Sequence, residues 1–158
     1  MRTLLALTAL TVALLPAQHD HDDEHPKDFK GVLQALLRAS RENLVPLKTV
    51  RIEMRPGRTY WYEVEITLPG ARQCRIYEHP RPVYRCELPG SAYANLVKDV
   101  ASVLGSEQWK QVAAAQSARF VPANPRRDAL LEVRVKGAKA AAVVEFLLYG
   151  VDRDGIYQ

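Results

Sequence analysis

In the stretch KDFKGVLQALLRASREN, apolar positions recur at helical spacing, with Phe29, Val32, Leu33, Leu36 and Leu37 on one side and polar residues on the other. This predicts an amphipathic helix that ends near Asn43, with Val45-Pro46 forcing an extended exit. The period then drops to two. Val50, Ile52 and Met54 alternate with Arg51, Glu53 and Arg55, which predicts a half-buried strand ended by Pro56-Gly57. A second strand follows in RTYWYEVEITLPG, with Tyr60, Tyr62, Val64, Ile66 and Leu68 on one face. Trp61, Glu63, Glu65 and Thr67 take the other.

The next segment, ARQCRIYEHPRPVYRCELPG, reads as a hairpin turning at His79-Pro80-Arg81. Cys74 and Cys86 are equidistant from Pro80, so a tip centred there sets them directly opposite each other. The same register opposes Ile76 with Tyr84 and Arg75 with Arg85, keeping apolar pairs on one face and polar pairs on the other. Opposed strand residues come within reach of a disulfide. A Cys74–Cys86 bridge would contribute about 3 kcal/mol by restricting the unfolded chain.

Beyond the hairpin, Leu96, Val97, Val100, Val103 and Leu104 predict a helix capped by Ser91 and ended by Gly105. SEQWKQVAAAQSARF suggests a short second helix, with Trp109 in the core near its start and Val112 one turn on. The proline-bearing VPANPRRD is a loop. ALLEVRVKGAKAAAVVEFLLYG splits at residues 136–139 into two strands, the second favoured over a helix by Val143, Val144, Phe146 and Tyr149. The order α-β-β-β-β-α-(α)-β-β describes a two-layer α+β domain, an antiparallel sheet of about six strands with helices on one face. That order loosely resembles small secretion-chaperone-like folds, a likeness of fold that carries no residues over.

The compartment is expected from the first residues. MRTLLALTALTVALLPA has an early Arg2, an apolar run too short to span a bilayer, and small residues at its end. Residues 1–17 are therefore expected to be a Sec-type signal peptide. Residues 18–26 would form a flexible tail and 27–158 a single domain, exported to the bacterial periplasm or exterior without a membrane span. One disulfide suits that location. Charge is uneven along the chain. Of 22 Lys/Arg and 18 Asp/Glu, one base and four acids precede Pro26, leaving 21 against 14 and a net of +7 behind it. Basic surfaces attract polyanions, but for an exported chain no nucleic-acid partner is expected.

The tail QHDHDDEH gathers the concentrated metal-ligand chemistry: His19, His21 and His25, interleaved with Asp20, Asp22, Asp23 and Glu24. Imidazole with carboxylate suits copper, zinc or nickel. Without a preformed cage such a site would be weak, and a hydrated spacer accounts for the same composition. No cofactor is expected for the domain. It contains one histidine, His79, at the hairpin tip, and lacks GxSxG, HExxH and glycine-rich phosphate-loop motifs. Glu63 and Glu65 share a strand face, yet Arg51, Arg55, Arg75 and Arg85 are expected on that face too, which reads as ion pairing rather than catalysis. Trp61 alternates with those charges and Tyr77 shares its face, an arrangement used in binding surfaces. The resulting expectation is a non-enzymatic module binding a protein or peptide through Trp61, Tyr77, Arg75, Arg85, Glu63 and Glu65. A periplasmic metal-binding role for the tail is the alternative.

Overall fold

A computed structural model describes residues 26–55, 59–78, 81–138 and 141–151. Within it a helix is followed by a four-stranded antiparallel meander, twice over. The first unit is α1 (Phe29–Ser40) with β1 (Lys48–Arg55), β2 (Thr59–Val64), β3 (Gln73–Tyr77) and β4 (Val83–Pro89). The second is α2 (Tyr93–Leu104) with β5 (Trp109–Ala114), β6 (Ser117–Pro122), β7 (Leu131–Lys136) and β8 (Val143–Tyr149). The last strands of the two units pair with each other, so one sheet of eight strands runs β1-β2-β3-β4-β8-β7-β6-β5. The α+β class and antiparallel sheet agree with the sequence reading. The strand number does not, because the segment expected as a second helix is the β5–β6 hairpin. Six consecutive pairs from Trp109↔Pro122 to Ala114↔Ser117 join it. Helix propensity in the alanine run gives way to pairing with β7, which continues the sheet through Phe120↔Leu131.

Both helices lie on one face. α1 meets β8 and α2 meets β7, and the helices meet each other. The core between the layers holds Val32, Leu33 and Leu36 of α1 and Leu96 and Val100 of α2. Facing them are Ile76, Tyr84, Cys86, Phe120, Leu131, Val133, Val144, Phe146 and Leu148 of the sheet. Trp109 packs partly buried against this core, as expected, although from a strand. Val112 instead points to the opposite face, beside Arg119, and is 48% exposed.

Local details follow from capping and turn chemistry. The Asp28 side chain accepts a 2.8 Å hydrogen bond from the Gly31 N–H and starts α1. After α1 the chain does not run straight out through Val45-Pro46. Asn43 and Leu44 take left-handed conformations, at φ 53° and 63°, and a 3-10 turn spans Val45–Leu47. The Leu44 N–H donates to the Ala39 carbonyl at 2.9 Å, and its side chain is fully buried. Leucine burial of this kind offsets the roughly 1–3 kcal/mol of a left-handed non-glycine residue. Ser91 does not cap α2; it sits in a 3-10 turn, Gly90–Ala92, that leads into the helix. Gly105, at φ 72°, ends α2 where the sequence places it.

The β3–β4 hairpin has the expected register: Cys74↔Cys86, Arg75↔Arg85 and Ile76↔Tyr84. Cys74 and Cys86 form a disulfide, their Cα atoms 4.1 Å apart. His79 and Pro80 at its tip lie outside the described residues. β2 is shorter than expected. It stops at Val64, and the following bend tucks Leu68 into the core while the Ile66 carbonyl accepts the buried Tyr84 hydroxyl at 2.9 Å.

β1 departs further. Its pairing with β2 sets Arg51 opposite Tyr62 and Ile52 opposite Trp61, with two register shifts. Arg51, not Ile52, therefore lies on the helix side of the sheet. There its guanidinium sits 4.0 Å from the Tyr60 ring, and Nη2 lies 3.1 Å from Glu53 Oε1. Val50 is 54% exposed, and the side chain of Met54 lies outside the described residues. β1 is an edge strand whose middle residues Val50, Arg51 and Glu53 are exposed, so the alternating pattern there has little core to address.

Candidate binding face

On the side away from the helices, paired residues share a face and the register lines them into rows. One row runs Ile52, Trp61, Tyr77, Val83 and Tyr149 across β1, β2, β3, β4 and β8. The next runs Arg75, Arg85, Leu147, Glu132 and Arg119 across β3, β4, β8, β7 and β6. A third runs Gln73, Glu87, Glu145 and Arg134.

Two pairs in these rows oppose like charges directly, Arg75 with Arg85 and Glu87 with Glu145. Such pairs are unfavourable by themselves, and the side chains resolve both. Arg75 lies over the Trp61 indole, 3.6 Å from the ring centroid. Arg85 reaches between the two carboxylates, its Nη2 2.6 Å from Glu87 Oε1 and 2.6 Å from Glu145 Oε1. Arg134 Nε donates to Glu145 Oε2 at 2.7 Å, and Lys136 Nζ lies 3.6 Å from Oε1. Further along, Arg119 Nε is 3.7 Å from Glu132 Oε1, and the Arg81 guanidinium is 4.4 Å from the Tyr149 ring.

Two of the carboxylates lie beneath the cations. The side chains of Glu145 and Glu132 are 0% and 8% exposed, whereas Arg85, Arg134, Arg119 and Lys136 are 26%, 43%, 59% and 64% exposed. Glu145 and Glu132 form a floor, while Glu87, 38% exposed, stands at the level of the cations. Arg75, Arg85, Arg119, Arg134 and Lys136 outnumber Glu63, Glu87, Glu132 and Glu145 by one, and two of those carboxylates are buried, so solvent meets a positive surface. Burial pushes the Glu145 carboxyl up. The Arg134 hydrogen bond and the charges of Arg85, Arg134 and Lys136 outweigh burial and hold it below its ordinary value, ionised at neutral pH. Arg134 is raised in turn: burial works against its charge, but its hydrogen bond to Glu145 prevails.

Four of the expected surface residues, Trp61, Tyr77, Arg75 and Arg85, meet on this face. Strand alternation left Trp61 either exposed or covered by another segment; it is 7% exposed and lies beneath Arg75. Both helices lie on the opposite side of the sheet, so neither covers it, and residues 152–158 lie outside the described residues. Glu63 is exposed on the Trp61 side of β2, and Glu65 is exposed beyond the end of that strand. Glu87, Glu132 and Glu145 pair with the cations at the centre of the face. Arg51 belongs to the other side, as described above, and the Arg55 side chain lies outside the described residues. The glutamates of β7 and β8 escaped the sequence reading. Their signal was there, a lone Glu145 inside the apolar run VVEFLLY, where a charge needs buried partners.

The residues expected as metal ligands, His19, His21, His25, Asp20, Asp22, Asp23 and Glu24, lie outside the described residues, as do residues 1–17, expected as a signal peptide. Among the described residues no group of three or more His, Cys, Asp or Glu side chains is placed to hold a metal ion, and no helix is long and apolar enough to cross a membrane.

Set against protein-family models, curated proteins and solved structures, the chain matches none.

Proposed function

We propose that this is an exported, non-catalytic binding module that takes an acidic, extended segment of another protein across its outer sheet face. One observation carries the reading: Glu132 and Glu145 are buried at the base of that face while their arginine and lysine partners reach solvent above them. Arg85 and Arg134 keep N–H groups fixed by the glutamates beneath, so a partner carboxylate meets oriented donors and little ordering entropy is lost. The aromatic row supplies apolar floor beside them, with Trp61 acting by holding Arg75 in place.

The test is fluorescence titration with a labelled Asp/Glu-rich peptide containing one tyrosine, and a Lys-rich peptide of equal length as control. Binding of the acidic peptide alone, weakening as salt rises, is expected. The double substitution R85Q/R134Q is expected to lower affinity about tenfold or more. Equal binding of both peptides, or an unchanged affinity in the double variant, would reject the reading.

A second reading rests on the composition of residues 18–25 and places periplasmic copper, zinc or nickel binding in His19, His21, His25 and the neighbouring acids. Calorimetric titration of each metal into the protein and into a form starting at Pro26 decides it. Micromolar binding, about −8 kcal/mol, present only with the tail would support this role. Millimolar binding, or equal binding in both forms, would make the tail a spacer.

A further inference from the structure

The sheet ends in two edges of different character. At the β1 edge, pairing with β2 shifts register between Lys48 and Arg51 and again between Glu53 and Arg55. Lys48, Arg51, Glu53 and Arg55 place four charges along it. Bulges and charges of this kind blunt an edge against further pairing. The β5 edge has neither shift nor clustered charge. Its six residues pair with β6 without interruption, and from Gln111 to Ala114 they are uncharged and exposed.

Apolar surface is left unpacked on both sides of that edge. On the outer side Val112 is 48% and Val121 is 38% exposed. On the helix side an open cleft of about 110 Å³ lies between the end of α2 and the β5–β6 hairpin, lined by Leu104, Trp109, Gln111 and Phe120.

We infer that β5 is a dimerisation edge, at which β5 strands of two copies pair antiparallel about a two-fold axis at Val112 and join the two sheets edge to edge. The register is self-complementary. With the axis on Val112, that residue meets its own copy, Gln111 meets Ala113, and Lys110 meets Ala114, so no like charges oppose each other. Centring on a residue also keeps every side chain on its own face of the joined sheet. The small Ala113 side chain of the second copy then lies beside Gln111 at the rim of the cleft. Because the β1 edge is blunted, the contact closes after two copies and does not propagate into a fibre. An unrelated strand could use the same backbone groups. The matched valines and the absence of opposed charge favour a second copy.

Sedimentation velocity of the purified protein, up to about 100 µM, measures this directly, since a specific dimer of micromolar affinity is then mostly assembled. V112K sets two lysines against each other on the axis, and A114K independently sets one against the partner's Lys110. Each is expected to raise the dimer dissociation constant at least ~100-fold through like-charge contact, with an unchanged circular dichroism spectrum. V50K, at the β1 edge, is expected to remain dimeric. A wild-type protein that sediments as a monomer throughout overturns the inference. So does a dimer that survives both β5 substitutions, or one lost equally in V50K.

Discussion

Replacing Phe146 by alanine is expected to lower the free energy of unfolding by about 3–5 kcal/mol, the largest effect of any single substitution considered for this chain. Phe146 is fully buried at the centre of β8, where the two halves of the sheet join. It pairs with Cys86 on one side and Val133 on the other, and its ring meets that of Tyr84 edge-on, with centroids 6.3 Å apart. Truncation removes the aromatic contact and leaves a cavity that disulfide-linked β4 cannot collapse to fill. Urea unfolding at neutral pH measures the change. A loss below about 1 kcal/mol would mean that Phe146 is not at the centre of the core. Phe146→Leu, which keeps most of the volume, should cost much less.

The second large effect is electrostatic and depends on pH. Glu145→Gln is expected to cost about 2–3 kcal/mol at pH 7, less than a fully buried ion pair because Arg134 and Lys136 remain hydrated when their partner is lost. The folded carboxyl titrates below its ordinary value of ~4.3. Its contribution is therefore complete above that unfolded value and is lost as pH falls through the depressed folded value. The stability gap between the wild type and the glutamine variant should narrow from pH 5 downward. A gap that stays constant between pH 7 and pH 3 would show that Glu145 is not held ionised by its neighbours. The substitution also strips the floor from beneath Arg85 and Arg134. A fall in acidic-peptide affinity without loss of either cation would separate their orientation from their charge.

Local pattern and tertiary context contributed differently to this fold. α1, α2 and the β3–β4 hairpin were legible because each satisfies its own periodicity. The helices carry apolar residues every three or four positions, and the hairpin's register places Cys74 against Cys86 and Ile76 against Tyr84 within a dozen residues of chain. The strand character of residues 143–149 was legible too, in the aromatic and β-branched residues of VVEFLLY.

The β5–β6 hairpin was not, because alanine-rich sequence favours a helix in isolation, and only pairing of β6 with β7 makes the strand form the better state. Nor was the repetition of helix and four-stranded meander, or the joining of its halves through β4 and β8. That pairing links Cys86 to Phe146 across 60 positions of sequence, and register over such a separation is decided by which faces can be buried together.

The binding face divides along the same line. Trp61, Tyr77, Arg75 and Arg85 could be placed together from strand alternation, since they lie on consecutive strands. Their counter-charges could not, because Glu132 and Glu145 arrive from the other half of the chain. The sequence by itself determined which segments are amphipathic and which cysteines meet, since those depend on neighbours along the chain. The tertiary structure alone decided which charges are buried beneath which, because burial of an ion is settled by the partners that distant strands bring to it.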